Sequence, residues 1–259
     1  YTAGEALFGL PLTTYPELET TKSELALLGK LYDLYTTVLG TITEFNDMAW
    51  TDVASFNEKG ESMISVMVKK LEEFQLACKK MPKELRGWDA YIELKKTVDD
   101  FLETLPLVQA LAHPCMRSRH WRGLMDVTGR TLNVSSDAFK LANLLEADLL
   151  DYRDDVEDIA NSAVKELQIE DKLAVISDEW ADEQLSFMQF KNGGPIALKG
   201  GETSELMEKL EETQMSLVAM TASRYITPFK EEVTTWVTKF STVSEILEQW
   251  VQVQGMWMY

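Results

Sequence analysis

Cysteine and histidine are scarce in this chain, with two of each in 259 residues. Cys78 and Cys115 stand apart with no spaced framework around them. That excludes a disulfide-built fold and predicts free, buried thiols in a reducing compartment. His113, Cys115 and His120 make a three-ligand set, one short of a structural zinc site, and Pro114 disrupts their spacing. A carboxylate di-iron bundle needs Glu three residues before each ligating His, where Ala110 and Arg117 stand instead. No Gly-x-x-x-x-Gly-Lys-Ser/Thr run occurs, so no P-loop is present. The glycines between Gly193 and Gly201 do not match a dinucleotide fingerprint. No Ser or Cys sits in a nucleophile elbow. Catalytic, cofactor-binding and metal sites are all expected to be absent from this segment.

Basic residues are also in deficit, 25 against 43 acidic ones, for a net charge of −18. A field of that sign repels phosphate backbones, which argues against a nucleic-acid reader and against direct grip on an acidic polymer. Much of the excess lies between Glu146 and Glu183, with Asp148, Asp151, Asp154, Asp155, Glu157 and Asp158 reading as a solvated helix face. No stretch approaches the roughly 18 apolar residues of a membrane span, so no membrane partner is expected. The chain opens at Tyr1 rather than Met and shows no leader. Its last pattern is still in phase when it stops, so the expectation is a piece cut from a longer polypeptide.

That last pattern is the strongest signal present. Phe229, Trp236, Val243, Trp250 and Trp257 are seven apart, and Val233, Phe240, Leu247 and Gln254 follow four behind the first four. Both tracks share one helix face. They predict a single amphipathic helix roughly 42 Å long from Phe229 to Trp257, with the tryptophan stripe pressed on a large neighbouring surface. Truncating a buried Trp such as Trp250 would cost on the order of 3–5 kcal/mol.

Upstream, Ala6 to Leu12 reads as an extended apolar strap, ending near Tyr15-Pro16 at a helix start. Leu25, Leu28, Leu31, Tyr32, Tyr35 and Leu39 keep helical spacing. A second helix is expected over about Phe56–Cys78 and a third from Glu84 to about Leu105, closed by Pro106. A shorter one follows over Arg117–Val127, ended by Gly129. Ser135 or Ser136 is a candidate cap for the next, with Phe139, Leu141 and Leu144 inward. Val156, Ile159, Ala160, Ala163 and Leu167 fit one helical register and Ile169, Leu173, Ile176 and Trp180 another. The shift predicts two helices joined near Gln168. Leu185 to Phe190, the turn Lys191-Asn192-Gly193-Gly194-Pro195 and Ile196 to Lys199 predict a β-hairpin. Gly200-Gly201 releases the chain into a helix carrying Leu206, Leu210, Leu217 and Met220. The fold class is mainly α: an elongated array of antiparallel helix bundles with one small β-hairpin. The expected divisions are 1–130, 131–185, the hairpin insertion 186–201, and a long-helix segment 202–259.

Arg117, Arg119 and Arg122 make a dense basic island in this acidic chain. Arg119 and Arg122 lie one turn apart. They read either as an internal clamp on the chain's own carboxylates or as a docking patch for a partner.

Taken in order, four blocks resemble the linker region of dynein heavy chains. They are Leu7-Phe8 with Tyr15-Pro16 and Leu18; Met116 to Trp121 with Leu124 and Gly129; Ala163 to Trp180; and Trp250 to Tyr259. Within them Arg119, His120 and Trp121, then Lys165, Glu166 and Trp180, then Trp250, Gln254 and Trp257 match the family's motif positions. The resemblance implies a mechanical, non-catalytic element, an arm lying across the AAA+ ring of the same heavy chain and bending as nucleotide turns over. It implies ATP and Mg in the ring of the parent motor, none in this segment. It also implies a multi-subunit complex with intermediate and light chains, and microtubules reached through a distant stalk. The wording around Arg119 resembles axonemal heavy chains, which implies the cytoskeleton of a cilium or flagellum rather than the cytoplasm at large. Candidate hinges are Gln168 and the Gly193–Gly201 segment. Two other classes compete on residues alone. A generic acidic helical scaffold or adaptor would show a stable partner without a motor, and a carboxylate acid–base enzyme would need perturbed carboxylates in a pocket.

Overall fold

The computed structural model describes residues 1–11, 13–57, 60–136, 138–191 and 194–258. It is mainly α, with one two-stranded antiparallel sheet among the described residues. Leu12, Asn192, Gly193 and Tyr259, which carry parts of the expected strap, turn and final block, lie outside them. The chain divides into two compact units, Tyr1–Ala160 and Asn161–Tyr259.

In the first unit, α1 (Thr2–Leu7) precedes α2 (Pro16–Asn46). Of the expected strap, Ala6 to Leu12, only Ala6 and Leu7 are helical, at the end of α1, and Leu7, Phe8 and Leu10 are exposed. Pro16 opens α2 at its first turn, where a missing N–H is harmless. After α3 (Trp50–Val53) the chain turns at Gly60, whose φ of +76° suits glycine. The Asn57 side chain accepts the Glu61 N–H at 2.9 Å, so α4 begins only at Met63 and runs to Lys80, not from Phe56.

A 3₁₀ turn (Lys83–Gly87) leads to α5 (Asp89–Leu111). Tyr91 donates to the Cys78 carbonyl at 3.1 Å and Gln75 to Asp99 at 2.8 Å, which registers α4 and α5 antiparallel. Pro106 does not end α5, against expectation. A proline inside a helix costs about 3 kcal/mol. Leu105, Leu107, Val108 and Leu111 are all within 1% of full burial, and each such side chain contributes about 1.5–3 kcal/mol. Packing outweighs the lost hydrogen bond.

Next come α6 (Ser118–Thr128), ended by Gly129 at φ +66°, and α7 (Leu141–Leu145). Phe139, Leu141 and Leu144 are buried as expected. Neither Ser135 nor Ser136 caps α7; Ser136 accepts the Ala138 N–H instead, and Lys140 holds the cap position. Lys140 is extended and bridges antiparallel to Ala49, so the helix starts only at Leu141.

The long helix α8 (Arg153–Ala181) runs through Gln168 without a break, which corrects the two-helix expectation and removes Gln168 as a helix-junction hinge. The register shift is real, but it is a change of face. Val156 and Ile159 join the first unit's core, whereas Ile169, Leu173 and Ile176 join the second's. An apolar stripe that moves round a helix mimics, in sequence, a helix that stops and restarts.

The second unit then holds β1 (Phe187–Gln189), β2 (Pro195–Leu198), α9 (Gly200–Thr221) and α10 (Lys230–Met258). The strands pair Phe187 with Leu198 and Met188 with Ala197, and a bulge follows Met188.

Both cysteines are free and buried, Cys78 in α4 and Cys115 in the turn after α5. Burial pushes both thiols above the usual range, with Asp99 adding to the rise at Cys78. Unfolded thiols ionise near pH 8.5. Their contribution to stability is therefore complete below that pH and declines as pH climbs through the higher folded values. Denaturant midpoints should fall between about pH 7.5 and 9.5, and a thiol reagent at pH 8 should react only as fast as the chain opens. Immediate reaction of both thiols would contradict their burial.

Candidate functional site

Among the described residues no group of three or more His, Cys, Asp or Glu side chains could hold a metal ion. No described helix is long and apolar enough to cross a membrane. Three packed joints, built mostly from aromatic side chains, gather the motif residues other than Lys165 and Glu166.

The first joint lies in the first unit, at α6. His120 is buried, and its Nδ1 accepts the Arg117 N–H at 3.0 Å. A side chain at the third helical position thus satisfies one of the donors that every helix start leaves over. A neutral ring used this way carries its proton on Nε2. The next residue, Trp121, meets Trp50 edge-on at 5.7 Å and 89°. Trp50 also meets Phe139 at 6.2 Å, and its backbone N–H donates to the Phe139 carbonyl at 2.9 Å. Leu141 N–H donates to Met48 and Lys140 pairs with Asp47 at 2.9 Å, so two distant loops are zipped beside the motif. The three arginines differ in exposure, Arg117 and Arg122 being exposed and Arg119 half-buried. Arg117 precedes α6, Arg119 is half-buried on it, and Arg122 is exposed with its Nε on the Ser118 carbonyl.

The second joint centres on Trp180. Its Nε1 donates to Thr213 at 3.2 Å, and its ring lies 4.8 Å from Phe240. Phe240 in turn stacks with Trp236 at 5.2 Å. Lys209 lies over the Trp180 ring at 5.0 Å and pairs with Glu183 at 2.6 Å. Lys165 and Glu166, fourteen residues or more before Trp180 on α8, stand apart from this cluster, the one exposed and the other buried.

The third joint holds the hairpin on α10. Gln254 Oε1 accepts the Leu198 N–H at 2.7 Å, and Gln254 Nε2 donates to the Leu198 carbonyl at 3.0 Å. One side-chain amide thereby satisfies both backbone groups on the outer edge of β2, as a neighbouring strand would. This explains why the track Val233, Phe240, Leu247 ends in glutamine: at that turn the helix meets backbone, not side chains. On either side Trp250 packs on Phe187 at 5.9 Å and Trp257 on Phe190 at 4.8 Å. The spacings match. Seven helical residues advance about 10.5 Å, and three extended residues advance about 10 Å. Phe190 lies one residue past the end of β1, outside the strand's strict alternation, so it and Phe187 can address one helix despite their odd separation. At the hairpin base Lys199 N–H donates to Ser186, while hydrogen bonds from Ser186 and then Lys199 hold the Glu202 carboxyl below its usual range.

One expectation is corrected here. The buried track of α10 is Val233, Phe240 and Leu247, at 4% exposure or less, while Trp250 and Trp257 keep 37% and 58%. The tryptophans flank the seam and brace the hairpin. Nothing local in the sequence marks Thr213 and Lys209, whose contacts with Trp180 depend on the α8–α9 register.

A family model for the dynein heavy chain, N-terminal region 2, matches residues 18–259. The dynein gamma chain of the flagellar outer arm of Chlamydomonas reinhardtii is 51% identical over 260 residues, covering 100% of this chain and 6% of that protein. Dynein axonemal heavy chain 8 of Homo sapiens is 42% identical over 259 residues, 100% of this chain and 6% of that one. The dynein-1-alpha heavy chain of the flagellar inner arm I1 complex of Chlamydomonas reinhardtii is 30% identical over 98% of this chain and 5% of its own length. The chain thus spans about a twentieth of the relatives it matches.

Proposed function

We propose that this chain, which belongs to the dynein heavy-chain family, is a linker: a non-catalytic lever that passes ATP-driven changes in a motor ring on to the tail. The observation that supports this best is the third joint. A long helix gripped at three successive points by a hairpin can carry lateral load without bending at any one of them. The ATP and Mg that drive it belong to modules elsewhere in the heavy chain. The AAA+ ring of the same polypeptide is its immediate partner, and a multi-subunit complex acting on microtubules is its setting. The flagellar and axonemal names of its relatives support a place in the axoneme of a cilium or flagellum. Exposed Arg117 and Arg122, with half-buried Arg119 between them, offer a docking patch at the start of α6.

The test is Gln254→Ala in the complete heavy chain. Two backbone groups of Leu198 lose their partner, a loss of about 1–3 kcal/mol locally. Exchange of the Leu198 amide should speed up about tenfold to a hundredfold. Microtubule gliding should slow while basal ATP hydrolysis holds. If the hairpin loosens as expected but gliding keeps its wild-type speed, the lever reading of this joint fails.

A further inference from the structure

The helix α2 carries two apolar faces, and the first unit uses one of them. Leu31, Val38 and Ile42 are buried in the core with Leu27, Leu34 and Phe45 against it. Leu18, Leu25, Tyr32 and Leu39 repeat at seven on another face, and they are 52%, 67%, 49% and 38% exposed. Helical geometry puts Thr21, Gly29, Thr36, Gly40 and Thr43 among them. The hydroxyls of Thr21, Thr36 and Thr43 bond back to carbonyls of their own helix, which leaves their methyls outward. A Cβ placed on Gly29 or Gly40 would meet nothing within 4 Å. The face is therefore smooth and about 32 Å long from Leu18 to Leu39. Lys22 is its one charge, already paired with Glu19, while Glu17, Glu24 and Asp33 stand along its margins.

No residue of α2 before Leu31 is buried. Apart from Leu27, this half packs on nothing in the first unit's core among the described residues, so a neighbour on its apolar face would stabilise it. A seven-residue apolar repeat with small residues between selects another helix, since knobs need spaced holes. The acidic margins select one with basic flanks.

We infer that the Leu18–Leu39 face of α2 is a helix-docking surface, and that its occupant is a basic-flanked amphipathic helix from elsewhere in the same heavy chain. The matched relatives carry more than nine-tenths of their length outside the matched region. A tethered helix also binds intramolecularly, at an effective concentration that its linker sets and a separate subunit lacks. This inference is independent of the lever reading.

The experiment places the photoreactive residue p-benzoyl-phenylalanine at Tyr32, and separately at Leu25, in the complete heavy chain within its native complex. Irradiation should cross-link both positions to one helical segment of the same polypeptide outside residues 1–259, with a seven-residue apolar repeat and Lys or Arg beside it. Cross-links to a second copy, to another subunit, or from neither position overturn the assignment. In parallel, Leu25→Asp should speed amide exchange over residues 18–30 by about tenfold or more while leaving α4 and α5 unchanged. Unaltered exchange there would also overturn it.

Discussion

Phe240→Ala is expected to destabilise the second unit by about 3–5 kcal/mol, the largest loss from any single truncation on α10. Phe240 is 4% exposed, and its ring contacts both Trp180 and Trp236. Removing it opens a cavity at the meeting of α8, α9 and α10 and leaves two indoles without their shared neighbour. Trp250→Ala removes a larger side chain, but one still 37% exposed and touching Phe187 at the hairpin. Its loss should stay nearer half that of Phe240. Denaturant unfolding followed by tryptophan fluorescence, with hydrogen exchange to assign the loss to α8–α10, ranks the two. A larger loss for Trp250→Ala, or a loss below about 1 kcal/mol for Phe240→Ala, would refute the burial order.

That ranking marks where sequence stops informing. The seven-residue repeat located α10 to within a residue of Phe229 and Trp257, because an amphipathic period is a property of the chain itself. Which of two adjacent tracks is buried is not such a property. It depends on where α9 and the hairpin lie, and those are long-range contacts. The hairpin itself was legible, since alternation and a glycine turn are local. Its attachment to Gln254 was not, because a lone glutamine at the end of an apolar track looks like a lapse in the pattern. At Pro106 and Gln168 local rules fail because burial, not the local chain, decides where each helix ends. At Pro106 burial of Leu105, Leu107, Val108 and Leu111 overrides a residue that would end a free helix, and at Gln168 the buried stripe changes face without any breaker in the chain. The Arg-His-Trp block was found by resemblance alone. No spacing rule pairs Trp121 with Trp50, seventy-one residues earlier.

That pairing carries the second large expectation. Trp50→Ala should destabilise the first unit by about 3–5 kcal/mol. Trp50 is 9% exposed and is the ring through which Trp121 and Phe139 meet. Its backbone bond to Phe139 survives the substitution, so the loss measures the side chain. Trp121→Ala alone should cost less, since Trp121 is only half-buried. The double variant separates packing from coincidence. An edge-to-face pair contributes about 0.5–1.5 kcal/mol beyond buried area, so the two losses should fall short of additivity by that much. Strict additivity would mean that the rings touch without stabilising one another. The tryptophan of the motif would then owe its place to some other neighbour of α6. A coupling in the expected range would instead give the block a physical reason: His120 fixes the start of the helix, and Trp121, one residue on, locks it against the loops at Trp50 and Phe139.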